Sequence, residues 1–259
     1  MPLPALLLVH GAWHDFPAWR FLARCLPDVD VRAVRLPSTG EDPELLGDLY
    51  ADAARIEAAL GEIGGPAVVL GHSYGGAPVS QTPAGAGIVR VIYLVAMMQD
   101  VGDTVLTPTG GVHPPYWDVD EEEGDRPGCF GVSDPVEVLY NGVDPQLAES
   151  VAATLRKQSL ASVTQPLTRA VWRDVPSSYI VCEQDRAIPA AFQYSMARQA
   201  DRVRSMDSGH SPFLSHPAEL ARLIREEMAV QGARRPRSRT AQSADPERPG
   251  RPPRSVGIP

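Results

Sequence analysis

Residues 66–77 read PAVVLGHSYGGA, and this stretch decides the fold. The apolar residues Ala67, Val68, Val69 and Leu70 run into Gly71-His72-Ser73-Tyr74-Gly75, a G-x-S-x-G pattern, and the small residues Gly76 and Ala77 follow. A short pattern of this kind is weak alone, but here it sits between an apolar run and small residues able to open a helix. That context describes a strand turning sharply into a helix. Side chains near such a turn would collide, so glycines surround it, and the strained backbone presents one side chain out of the sheet. Ser73 is therefore the candidate nucleophile.

Working outward, further short apolar runs lie at Ala5–Val9, Val31–Arg35, Val89–Val95, Ser178–Cys182 and Val203–Met206. With Ala67–Leu70 they suit parallel strands buried on both faces. Glu44–Ile63 and Pro217–Met228 carry apolar residues at near-helical spacing and are expected to cover the sheet. The expected fold class is thus α/β: a mostly parallel central sheet flanked by helices. Positions 100–170 break the alternation with a turn-rich opening and an Asp144–Pro145 helix start, without a strand of the earlier kind. This stretch is expected to be a small helical cap inserted over the carboxyl edge of the sheet, where open α/β sheets bind ligands. The resulting division is core 1–99 and 171–231, cap 100–170, and tail 232–259. The acidic run Asp118 to Asp125 is expected to be a solvated loop rather than a metal site, because its carboxylates are adjacent and not spaced to converge.

Composition bounds the function. The 259 residues carry 24 Lys+Arg against 32 Asp+Glu, a formal charge of −8. The tail 232–259 holds seven arginines against Asp245 and Glu247 and has six prolines, which leaves −13 on the rest of the chain. Such a tail cannot bury enough surface to offset the entropy of ordering, and it is expected to be disordered and unnecessary for catalysis. An acidic body argues against nucleic acid as a partner and disfavours strongly anionic substrates. No window has the length of a membrane span, and the start MPLPALLLVHG lacks the marks of a signal peptide, so a cytoplasmic protein without a membrane partner is expected. Cys25, Cys129 and Cys182 lie far apart and read as buried thiols, with no metal site and no cofactor implied.

A serine needs a base and an orienting group. Among six histidines, His210 fits best: Asp207-Ser208-Gly209-His210-Ser211-Pro212 follows the last apolar run and precedes the last helix. His216, at the entry to that helix, reads as a capping or packing residue. Asp185, in the turn Glu183-Gln184-Asp185-Arg186 after the run Ser178–Cys182, is the chosen carboxylate, with Glu183 and Asp207 as fallback acids. Charge developing on a substrate carbonyl oxygen needs aimed donors. The backbone N–H groups of Ala12, in His10-Gly11-Ala12-Trp13, and of Tyr74 are the candidates, and His10 reads as structural. Trp13, Tyr74, Met97, Met98, Tyr116, Trp117 and Phe130 are candidate pocket residues, although each type is more often core. His113 reads as a surface residue.

LLLVHGAWH, GHSYGG, DRAIP and GHSPFLSHP, in this order and spacing, resemble the α/β-hydrolase superfamily over residues 5–230. More narrowly, HGAWH with GHSYGG is similar to the cap-bearing branch of plant methylesterases, hydroxynitrile lyases and many bacterial esterases. The resemblance implies a cofactor-free Ser-His-Asp site made of Ser73, Asp185 and His210, with Ala12 and Tyr74 forming the oxyanion hole. It also implies that the chain starts at the family's third strand. The expected function is a serine hydrolase acting on a small-molecule carboxylic ester or lactone, with a homodimer left open. Two alternatives stay open: a slow or non-catalytic small-molecule receptor, and lyase chemistry, against which stands Ser211 where the lyases carry a lysine.

Overall fold

The computed structural model describes residues 3–121 and 128–230. The tail expected to be disordered, and Glu122 to Asp125 of the acidic run, lie outside the described residues. In chain order, β1 (Ala5–Val9) leads through a loop to α1 (Arg20–Arg24), and β2 (Val31–Val34) and β3 (Thr39–Gly40) precede α2 (Leu49–Ile63). Then come β4 (Ala67–His72), α3 (Gly76–Gln81) and β5 (Ile88–Leu94). The 100–170 stretch holds β6 (Trp117–Asp120), β7 (Cys129–Val132), α4 (Pro135–Leu139), α5 (Pro145–Ala152), β8 (Lys157–Ser159) and α6 (Ala161–Thr164). The chain returns through β9 (Ser177–Cys182), α7 (Ala190–Ala197), β10 (Arg202–Met206), α8 (Pro212–Ser215) and α9 (Pro217–Ala229).

Six strands form one parallel sheet in the order β10-β9-β5-β4-β1-β2. The chain runs outward from β1 to β2 and then crosses back to β4 on the other side of β1. Loops leaving β1 and β4 therefore diverge and open a crevice between their carboxyl ends, the place where such sheets take ligands. Gly11 and Ser73 both lie there.

The central strands β1, β4 and β9 are buried along their whole length, in keeping with the apolar runs at their centres. Burial on both faces does not extend to β2 and β10, where Arg32, Ala33, Val203 and Ser205 are exposed. These are the two edges, so each has a neighbour on one side only. α2 starts at Asp48, whose carboxylate accepts the Ala51 N–H at 2.8 Å, and ends at Gly64 in the left-handed conformation at φ 66°. Its inner face buries Leu49, Ile56 and Leu60, and also one acid, Asp52. Cys129 and Cys182 are buried free thiols, whereas Cys25 is half-buried.

The 100–170 stretch differs from the helical cap expected of it. β6, β7 and β8 join β3 in an antiparallel sheet of order β3-β8-β7-β6, alongside α4, α5 and α6. Asp118 and Asp120, expected in a loop, are the exposed alternate residues of β6, while Trp117 and Val119 are partly buried. Acids on every second position lower the mean hydropathy of a strand without breaking its period of two.

The close packing at the crevice sets a test. A Cβ on Gly75 would lie 2.5 Å from the His10 carbonyl oxygen and 2.9 Å from that of Val9, both backbone atoms that cannot step aside. Gly75→Ala is expected to lose about 3 kcal/mol of stability, the upper range for overpacking a rigid site, read as a lowered midpoint in urea unfolding.

Candidate active site

Ser73 sits at φ 54°, in the left-handed region that serine seldom adopts. Its carbonyl is held by the Met97 N–H at 3.0 Å. The β1 loop passes so close that a Cβ on Gly11 would be 2.9 Å from Ser73 Cβ. Glycine at position 11 thus lets the loop bearing Ala12 reach the serine.

His210 follows β10 and is almost fully enclosed, at 1% exposure. Its Nδ1 lies 2.8 Å from Asp185 Oδ2. A carboxylate only accepts, so Nδ1 carries the hydrogen and, in the neutral ring, Nε2 is the basic nitrogen. Asp185 is fixed in turn: its Oδ1 accepts the backbone N–H groups of Ala187 at 2.7 Å and Ile188 at 3.0 Å. Gln193, fully buried on α7, puts Nε2 3.2 Å from Asp185 Oδ2 and accepts the Cys182 N–H at 2.9 Å. The fallback acids are turned away, Glu183 bonding Tyr194 and Asp207 bonding Gln184. His216 bonds Ser215 at the start of α9.

Ser73 and His210 line one small cavity of about 30 Å³, with Ala12, Trp13 and Tyr74 in its wall. Beside it is an apolar chamber of about 330 Å³ that includes Leu106, Pro115, Phe192 and Met196. Met97, Val105, Tyr116, Trp117, Ala187 and Ile188 border both spaces. Five of the expected pocket residues are therefore at the cavity, namely Trp13, Tyr74, Met97, Tyr116 and Trp117. Met98 is not; it is fully buried in the core, because successive residues leaving β5 face opposite sides. Phe130 is also core, stacked on Trp117 at 4.1 Å. His113, expected at the surface, also stacks on Trp117, at 5.6 Å, and is half-buried.

Three more histidines surround the site, of which sequence reasoning weighed only His10. His10 donates from Nδ1 to the Gly11 carbonyl at 2.9 Å and accepts the Leu36 N–H at 3.1 Å, holding the loop. His14 donates to the Ala12 carbonyl at 2.8 Å and accepts the Tyr140 hydroxyl at 3.0 Å. His72 donates from Nε2 to the His210 carbonyl at 2.9 Å, with the two rings 4.7 Å apart. The available signal was position: His14 is two residues beyond the loop's Ala12, and His72 is next to Ser73.

Among the described residues no cluster of His, Cys, Asp or Glu could hold a metal ion, and no helix is long and apolar enough to cross a membrane. A strained serine after a central strand, with a buried histidine–carboxylate pair from two later strand ends, is the arrangement of the α/β hydrolase class. The chain matches the alpha/beta hydrolase family over residues 6–223 and belongs to it. It is 31% identical to the alpha/beta hydrolase nvfD of Aspergillus novofumigatus over 86% of this chain and 95% of that protein. It is 24% identical to Methylesterase 7 of Arabidopsis thaliana over 85% of this chain and 94% of the relative. Its fold is similar to that of polyneuridine aldehyde esterase, with a TM-score of 0.74 at 20% identity, covering 87% of this chain and 99% of that one.

The enclosed histidines generate a pH prediction. Burial lowers His10 to about 4, His14 to about 3, and His72 well below its ordinary value of 6.5. Below pH 6.5 the unfolded chain takes up protons that the folded rings refuse, so stability falls as pH drops. Unfolding free energy measured by urea titration is expected to fall by about 2 kcal/mol per histidine between about pH 7.5 and pH 5. His14→Gln should remove its own share of that slope.

Proposed function

We propose that this chain is a cofactor-independent serine hydrolase that cleaves a carboxylic ester or lactone of a small, neutral, apolar molecule through an acyl-enzyme. The observation that carries the reading is the His210 Nδ1–Asp185 Oδ2 contact of 2.8 Å at the wall of the cavity that Ser73 shares. In this reading Ser73 Oγ attacks the carbonyl carbon while His210 Nε2 takes its proton, and Asp185 holds the imidazole tautomer and stabilises the imidazolium. The Ala12 and Tyr74 N–H groups receive the developing oxyanion. His210 then gives its proton to the leaving alkoxide, and a water activated by the same nitrogen releases the acid and restores Ser73.

The two spaces support the substrate class. The cavity at Ser73 has room for a water-sized group, whereas the adjoining chamber, walled by Leu106, Pro115, Phe192 and Met196, suits an apolar arm. The relatives named Methylesterase 7 and polyneuridine aldehyde esterase agree with ester chemistry. p-Nitrophenyl esters should be turned over with kcat/KM rising from acetate to hexanoate. Ser73→Ala should lower that value by about a thousandfold or more, and a fluorophosphonate should label wild type at Ser73. Equal turnover by wild type and Ser73→Ala would sink the reading.

A further inference from the structure

Asp52 is a carboxylate on the inner face of α2 with 0% of its surface exposed. Among the described residues no basic side chain pairs with it. Its surroundings are instead a directed chain of hydrogen bonds. Thr39 Oγ1 donates to Gln158 Oε1 at 2.7 Å, so the amide orientation is set, and Gln158 Nε2 donates to Ser38 Oγ at 2.8 Å and Ser162 Oγ at 2.7 Å. Ser162 passes its hydrogen to the Ser159 carbonyl at 2.6 Å. Ser38 Oγ, already an acceptor, gives its hydrogen to Asp52 Oδ2 at 2.5 Å, and the Ser38 N–H reaches Oδ1 at 2.9 Å. The Tyr74 hydroxyl donates to Oδ2 at 2.5 Å. Every hydrogen in contact with Asp52 points toward it, which calls for a group that only accepts.

We propose that Asp52 is a positioning residue for catalysis: through the Tyr74 hydroxyl it fixes the elbow that carries Ser73 and the Tyr74 N–H, and through Ser38 and Gln158 it ties that elbow to β3 and β8. The proposal rests on the esterase reading above. A buried carboxylate without a counterion is expensive, and it is held here only by the donors that meet it. Its location explains it: the residue it grips directly follows Ser73, and a side chain anchored at its far end restrains the backbone shift that would re-aim the N–H meant for the oxyanion. The far end of the network lies on β8, within the stretch that also supplies Tyr116 and Trp117 to the cavity wall.

Protonation tunes the grip. Burial raises the Asp52 carboxyl to about 7. The titratable groups acting on it are Tyr74 and, from its own helix, Asp48; β3, β8 and α6 contribute the neutral Thr39, Gln158 and Ser162. Above that pH the carboxylate accepts both hydroxyls in charge-assisted bonds, and below it one oxygen bears a proton and one of those bonds is lost or reversed.

The test compares wild type, Tyr74→Phe, Asp52→Asn and Ser73→Ala on p-nitrophenyl acetate, with circular dichroism melting curves to confirm folding. Tyr74→Phe and Asp52→Asn are each expected to lower kcat about tenfold at about pH 8, with KM within about twofold. The wild-type to Tyr74→Phe ratio should shrink below about threefold at about pH 6, where Asp52 is mostly protonated. A role in folding alone would lower the melting temperature and leave kcat and its ratio unchanged at both pH values; that result overturns the proposal while an inactive Ser73→Ala keeps the esterase reading. A tenfold ratio independent of pH overturns it as well. If Tyr74→Phe does not fold, Asp52→Asn, close in volume, carries the same comparison. Equal turnover by wild type and Ser73→Ala removes the esterase reading and this inference with it.

Discussion

The left-handed backbone at Ser73 is the constraint on which the rest depends. A serine in that conformation stores about 1–3 kcal/mol of strain and persists only where its surroundings leave no alternative. Here β4 is pinned between β1 and β5, the Met97 N–H holds the Ser73 carbonyl, and the chain turns at once into a 3₁₀ turn and α3. Val95, a β-branched residue at φ 42° on the adjacent strand end, shows that strain is concentrated at this edge of the sheet. The glycines follow as consequences. Gly71, Gly75 and Gly76 each lack room for a Cβ because neighbouring backbone or the Ala96 side chain occupies it.

The electrostatics of the site are built from fixed dipoles and neutral rings. His10, His14 and His72 are kept uncharged by burial, so none of these three competes as a cation with His210 for Asp185. Asp185 is surrounded by two backbone N–H groups, the Gln193 amide and His210 itself. Dipoles placed by the fold need not reorganise when charge moves, which makes them worth more than the same groups in water. Asp52 repeats the device on the other side of the elbow, a second enclosed carboxylate met by donors rather than by a counterion.

How much of this was legible in the sequence depended on whether the signal was local. Central strands announce themselves as apolar runs, and Ser73 and Asp185 each stand just past one while His210 follows the shorter edge run of β10, so the three could be ordered along the chain before any geometry was known. What escaped notice was set by partners far away. Gln193 looks like an ordinary polar residue on α7 until Cys182 and Asp185 are found on either side of its amide. Asp52 interrupts an apolar helix face, and periodicity discounts a single exception. β6, β7 and β8 are short and owe their pairing to one another and to β3, a two-residue strand from another part of the chain. Met98 was misplaced for a different reason, since adjacent residues leaving a strand face opposite ways and composition cannot say which faces the cavity.

These contacts bind the chemistry to the stretch that shapes the pocket. The loop after β1 is fastened to residues 100–170 by Trp13 Nε1 to the Phe130 carbonyl at 3.2 Å, by the Arg156 N–H to the Trp13 carbonyl at 2.9 Å, and by Tyr140 to His14. The elbow is fastened to the same stretch through Asp52, Ser38 and Gln158. Both candidate oxyanion donors, Ala12 and Tyr74, are thus positioned by side chains that also brace the cover of the cavity. Movement of that cover would load these bonds together with others, such as Tyr116 to the Ala187 carbonyl and Asn141 to the Gln184 carbonyl. In the esterase proposed here, a ligand seated in the apolar chamber would touch Tyr116 and Trp117, which belong to the same stretch that braces the two candidate donors. Under that proposal, binding energy from the remote arm of a substrate would have a physical route to the reacting centre.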